Sequence, residues 1–144
     1  MAILNLPTTP NNPLINPLAF HKAGPMELRF NTELCFMENH RFDESATFYD
    51  TGYENSQAHS AQFKSHMLSV LKRLMETYPK GSKLAEVGCG KGDFLELAQA
   101  TGHFDCIGFD ETYSGSNPRV EKRYLGEGDR IDCDIVVLRH VLEH

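Results

Sequence analysis

The sequence predicts an α/β fold built on a parallel sheet, and three observations predict it. From Ser60 onward, short apolar runs alternate with segments of helical period. A glycine-spaced turn, Glu86-Val-Gly88-Cys-Gly90-Lys-Gly92, joins the first run to the next helix. Asp110 closes the second run, 20 residues beyond Gly90.

Each element has its own reason. Residues 1–25 hold Pro7, Pro10, Pro13, Pro17 and Pro25, which bar a helix interior or a central strand. This is read as an extended or poorly ordered arm. Glu27-Leu-Arg-Phe-Asn and Glu33-Leu-Cys-Phe-Met alternate polar and apolar residues, as short strands do. Phe63, Met67, Val70, Leu71, Leu74 and Met75 form one apolar stripe on a helix. Tyr78-Pro79-Lys80-Gly81 ends that helix. Lys83-Leu-Ala-Glu-Val reads as a buried strand, and Phe94, Leu95, Leu97 and Ala98 as a second helix stopped at Gly102. Phe104–Phe109, Val120–Leu125 and Asp134–Leu138 read as further strands, the last rich in β-branched residues and apolar enough for burial on both faces. His140-Val-Leu-Glu-His reads as a helix start. Two parts are expected: residues 1–58, an arm with an aromatic lid-like segment, and residues 59–144, a ligand-binding α/β domain.

Composition narrows the function. The chain has 144 residues, 40% hydrophobic and 24% charged, as an ordinary globular domain does. Fourteen basic against twenty acidic residues give a net charge of −6, so a nucleic-acid partner is not expected. No apolar run approaches the ~20 residues of a membrane span, and the first residues lack a basic signal region. A cytoplasmic protein that does not enter the membrane is expected. Cys35, Cys89, Cys106 and Cys133 are widely spaced, unlike a disulfide scaffold or zinc ribbon.

The glycine turn and Asp110 together describe a site for an adenosine-containing ligand. Glycines let a ligand approach the backbone, and an acid at the end of the next strand can bond ribose hydroxyls. The dinucleotide fingerprint G-x-G-x-x-G would need glycine at position 93, where this chain has Asp93. A carboxylate at that helix start repels a pyrophosphate. For Asp110 alone, a helix cap or turn role is the plain alternative.

The spacing from Glu86 through Gly88, Gly90 and Gly92 resembles the first motif of class I S-adenosylmethionine-dependent methyltransferases. The segment Asp132-Cys-Asp-Ile-Val-Val-Leu-Arg-His140-Val-Leu-Glu143-His144 is similar to the fourth-strand segment of that superfamily. With Phe42-Asp43, Phe48-Tyr49-Asp50-Thr51-Gly52-Tyr53-Glu54-Asn55, Ser60 and Phe63, it looks closest to the branch of sugar C-methyltransferases and related small-molecule enzymes. The resemblance implies a Rossmann-like parallel sheet, preceded by an extended or helical N-terminal segment. It implies S-adenosyl-L-methionine as cofactor, held by Glu86, Gly88, Cys89, Gly90, Gly92 and Asp110. Nearby carboxylates suit that cofactor's cationic sulfonium and ammonium groups. Tyr49 and Tyr53 either cover the methionine end or pack as ordinary amphipathic rings.

His140, Glu143 and His144 are candidate bases near the strand ends. Bracing the local backbone is an equally good reading of each. A nucleophilic role for Cys89 would need a lowered thiol pKa. The branch often carries a zinc domain, but this region offers one cysteine and one histidine, so no metal is expected. The expected function is methyl transfer to a small-molecule acceptor, such as a sugar nucleotide or natural-product intermediate. The alternative is a cofactor-binding or assembly module without turnover. The superfamily sheet has seven strands and this chain covers four, so an exposed fourth-strand edge and self-association through it are also expected.

Overall fold

The computed structural model of the chain describes residues 4–7, 23–43, 56 and 58–142. The chain divides into two compact units, Met1–Glu54 and Asn55–His144.

In the first unit the described backbone is strands and turns. Strand β1 (Leu4–Pro7) pairs antiparallel with β2 (Ala23–Met26), Pro7 opposite Ala23 and Pro25 opposite Asn5. Proline fits here because both strands of a two-stranded ribbon are edges. The prolines therefore permit a paired ribbon where an extended or poorly ordered arm was expected. Strand β3 (Leu28–Asn31) pairs antiparallel with β4 (Phe36–Asn39). The second of these begins at Phe36, later than the expected start at Glu33. The Asn31 side-chain oxygen accepts the N–H groups of Glu33 and Leu34, each at 3.0 Å, and so closes a turn over those residues. Cys35 completes it at a left-handed φ of 55°.

The second unit begins with helix α1 (Ala61–Thr77), whose N-cap Ser60 accepts the Phe63 N–H at 3.2 Å. Its stripe buries Met67 and Leu71, with Phe63, Val70, Leu74 and Met75 partly buried beside them. Strand β5 (Lys83–Val87) follows, then helix α2 (Asp93–Ala100) and strand β6 (Asp105–Phe109). Strands β7 (Val120–Glu121) and β8 (Ile135–Leu138) complete the described elements. All pairings are parallel, in the order β7-β6-β5-β8. Strand β5 is central, and the order reverses there, between a neighbour reached through α2 and one reached later in the chain. In open α/β sheets that switch point, at the carboxyl ends of the strands, is where ligands bind.

One face of the sheet carries the core. Leu84, Cys106, Ile135 and Val137 meet Met67 and Leu71 of α1 and Phe94, Leu95 and Ala98 of α2. Burying each large side chain is worth about 1.5–3 kcal/mol. Gly108 on β6 lets α2 come this close: a Cβ there would lie 2.9 Å from Leu95 Cδ2 and 3.0 Å from Cys89 Sγ.

Three expectations are corrected. The third strand is two residues long and stops at Glu121, because Arg123 turns to pair with Glu121 at 2.8 Å and Asp129 at 3.2 Å. Strand β8, read as apolar enough for burial on both faces, buries Ile135 and Val137 but leaves Val136 51% and Leu138 39% exposed. The helix expected at His140 does not begin within residues 139–142. His140 adopts φ 55°, which a right-handed helix excludes. Val141 is instead laid across the glycine turn, where a Cβ on Gly88 would meet its Cγ2 at 2.5 Å.

Gly108→Val should therefore destabilise the protein by about 1–3 kcal/mol through overpacking. Urea unfolding checks this, and an unchanged midpoint would contradict the packing described.

Candidate active site at the switch point

The turn after β5 is shaped by three left-handed glycines: Gly88 at φ 67°, Gly90 at 57° and Gly92 at 88°. Other residues reach this region only with strain. The turn leans onto the neighbouring strand. The N–H groups of Gly88 and Cys89 both donate to the Phe109 carbonyl, at 2.8 and 3.2 Å. Gly92 caps α2 without any side-chain bond, and Asp93 and Glu96 place negative charge in its first turn. That favours the helix dipole and disfavours an anionic ligand at the helix end. Ser56 donates its hydroxyl to Asp93 Oδ2 at 2.7 Å, which fixes the chain entering this unit.

Asp110 knits the turn to the strand end. Its Oδ2 accepts the Gly90 N–H at 2.8 Å, and its Oδ1 accepts the Thr112 N–H at 2.8 Å and hydroxyl at 2.7 Å. A carboxylate has about four acceptor sites. Three are used, so one remains, on Oδ2. Asp110 thus acts as the turn residue weighed for it, and one acceptor position remains on Oδ2. Tyr113 is buried against the turn, 3.6 Å from where a Cβ on Gly92 would lie, and its hydroxyl accepts the Asn117 N–H at 2.7 Å.

Glu86 is the acid at the centre, 2% exposed on β5 beside the turn. Its Oε1 faces Arg139 Nη1 at 3.6 Å, longer than a hydrogen bond. Its Oε2 is buried and has no hydrogen-bond partner among the described residues. Burial pushes its pKa up from 4.5 to about 7, Arg139 and the Leu95 backbone N–H opposing the rise and Asp93 adding to it. Arg139 wins only part of the contest because the pair is loose. A buried polar atom left bare is costly, and it marks Glu86 as a candidate functional group.

The expected site residues are distributed as follows. Glu86, Gly88, Gly90, Gly92 and Asp110 gather at the carboxyl ends of β5 and β6. Cys89 contributes its backbone to the turn but points its thiol inward, toward Gly108. Burial, with Glu86 and Asp110 nearby, pushes that thiol up to about 12. It stays protonated at neutral pH, so the nucleophilic role does not hold. His140 stands exposed at the end of β8, its ring 5.8 Å from that of Phe63. Tyr49, Tyr53, Glu143 and His144 lie outside the described residues.

Sequence reasoning passed over Arg139, Val141 and Tyr113. Arg139 had a usable signal: an acid inside an apolar strand needs a countercharge, and an arginine ending another apolar strand can supply it. Among the described residues no group of three or more His, Cys, Asp or Glu is placed to hold a metal ion, and no helix is long and apolar enough to cross a membrane. A depression lined by Tyr78–Ser82 and Asp134 lies at the opposite, amino ends of β5 and β8.

A four-stranded parallel sheet, a glycine turn at its switch point and an acid ending the adjacent strand make a Rossmann-like fold, consistent with a class I methyltransferase. A family model described as a methyltransferase domain matches residues 55–144, and the chain belongs to that family. Comparison with curated proteins gave no match.

The burial of Glu86 has a consequence for stability. Between pH 4.5 and 7 the folded state holds a proton on Glu86 that the unfolded state has released. Stability therefore falls as pH rises through that window, by up to roughly 3 kcal/mol, and the loss is complete above pH 7. Glu86→Gln removes this contribution. Urea unfolding at pH 5 and pH 8 should show a smaller difference for the variant than for the wild type. Equal differences would contradict the assignment.

Proposed function

We propose that the chain binds S-adenosylmethionine at the carboxyl ends of β5 and β6 and passes its methyl group to a small molecule. The observation that carries this is the bare, buried Glu86 Oε2 beside the glycine turn. An anionic acceptor in a low-dielectric setting calls for a cation, and the cofactor's ammonium group is one. Its other end fits the remaining capacity of Asp110, which is one ribose hydroxyl on Oδ2. The negative charge of Glu86, Asp93 and Glu96 around the start of α2 disfavours a pyrophosphate, which speaks against a nicotinamide dinucleotide.

When bound, S-adenosylmethionine supplies an electrophilic methyl group on a sulfonium that departs as a neutral thioether. The protein's residues orient that group toward the acceptor, an effect that can be worth ~7–11 kcal/mol. Gly88, Gly90 and Gly92 supply the left-handed backbone that folds the turn, with Val141 packed against Gly88 and Tyr113 against Gly92. Glu86 and Asp110 hold the two polar ends. His140 is our candidate to take the acceptor's proton: it is exposed at the end of β8, and Val141 next to it lies across Gly88. A proton acceptor is needed when the acceptor atom is a hydroxyl oxygen or an acidic carbon. The net charge of −6 favours a small molecule over a nucleic acid as that acceptor. Within the small-molecule class, the sequence similarity favours the sugar C-methyltransferase branch.

Isothermal calorimetry tests the reading. S-Adenosylhomocysteine should bind, and NAD should not. Asp110→Asn keeps the size and one acceptor oxygen but loses the charge. It should weaken binding by at least about tenfold, since charge-assisted bonds are worth roughly 1.5–3 kcal/mol. Tight NAD binding, or unchanged affinity in the variant, would overturn the assignment.

A further inference from the structure

We propose that Arg139 is a positioning residue for Glu86: clamped between two phenyl rings, it engages one carboxylate oxygen and leaves the other to receive a single ammonium group. This rests on the cofactor reading above and deepens it.

The placement is fixed from three directions. Arg139 directly follows β8, on the face shared with Val137, whose register partner is Glu86. Its guanidinium lies 4.8 Å over the Phe94 ring, in the first turn of α2. It also lies 5.3 Å from the Phe63 ring, in the first turn of α1. Cation–π attraction favours both contacts, and only the flat guanidinium can be sandwiched this way while reaching a carboxylate. With both ring contacts made, the guanidinium stands 3.6 Å from Oε1.

The charges around Glu86 leave room for one more cation. The groups facing it are Arg139 after β8, Asp93 on α2, Cys89 in the glycine turn and Cys106 on β6. Burial keeps both thiols protonated and neutral at pH 7. When Glu86 is ionised, it and Asp93 set two negative charges against the one positive charge of Arg139. Asp93 already accepts the Ser56 hydroxyl, and Glu86 Oε2 has no partner. The vacancy is therefore at Oε2, and it is deeply buried. It suits a primary ammonium, which has hydrogens to donate to that oxygen, better than a quaternary cation, which has none. Arg139 also acts through protonation. Burial holds Glu86 near pH 7, at the edge of losing its charge, and Arg139 is the cation opposing that loss. Without Arg139, Glu86 would be protonated at neutral pH and could no longer attract an ammonium group.

The test is calorimetry from pH 6 to 9 with two ligands: S-adenosylhomocysteine and its deaminated analogue, which lacks only the ammonium group. The proteins are wild type, Arg139→Met and Arg139→Lys. Arg139→Met should lose at least tenfold in affinity for S-adenosylhomocysteine at pH 7 and less than twofold for the deaminated analogue. Its pH midpoint for S-adenosylhomocysteine binding should move upward, as expected for a Glu86 that ionises later. Arg139→Lys restores the charge without the planar clamp and should show the same selective loss to a smaller extent. It carries the test if Arg139→Met does not fold. An equal loss for both ligands, or no loss, would overturn the positioning role. Wild-type protein that binds neither ligand would overturn the cofactor reading itself, a result distinct from unselective variants of a binding wild type.

Discussion

Glu86 is buried on the central strand of a parallel sheet, on the face that carries the apolar core. A charge in such a place must be compensated or it is lost by protonation. Its neighbourhood follows from that constraint. Arg139 is brought to it from the end of β8, Phe63 and Phe94 are set to hold Arg139, and one carboxylate oxygen is left uncommitted. Stability is given up at neutral pH to keep this acid where it is. Such an arrangement is typical of functional sites, where local rules are broken for the sake of chemistry.

Around that acid the backbone provides the rest of the site. The glycine turn is drawn onto β6 by the Phe109 carbonyl and the Asp110 carboxylate, so the ends of two strands act as one rigid edge. The chain leaving β8 crosses the same turn through Val141. Gly108 permits α2 to lie close to the sheet, which in turn puts Phe94 within reach of Arg139. The packing core and the binding edge therefore share residues. A change in α2 packing will be felt at Glu86.

Much of this was legible in the sequence. The apolar stripe of α1, its Ser60 cap, the strand at Lys83–Val87 and the glycine turn each carry a local signal strong enough to place them. Asp110 was singled out by its spacing from that turn, and Glu86 by the resemblance of the turn to the methyltransferase first motif. The failures have physical causes. The alternation in Glu33–Met37 looked like a strand, but Asn31 captured two backbone N–H groups and made a turn. Val120–Leu125 looked like a longer strand, but Arg123 found carboxylates on either side of it in sequence and ended the pairing early. Residues after His140 had helical composition, but packing of Val141 over Gly88 bent the backbone into a left-handed position. Arg139 was hidden for a different reason. Its role depends on residues 76, 53 and 45 positions away, and no local pattern announces it.

The central claim is that Glu86 is a buried, weakly compensated carboxylate with one oxygen reserved for a cation. Carbon-13 NMR of glutamate side-chain carboxyls, with Glu86→Gln used to assign the resonance, observes it directly. In the free protein the Glu86 carboxyl should titrate near pH 7. Saturating S-adenosylhomocysteine should hold it ionised to distinctly lower pH, because an ammonium group beside Oε2 favours the charged form. A Glu86 resonance that titrates near 4.5 in the free protein, or that ignores the ligand, would contradict the account.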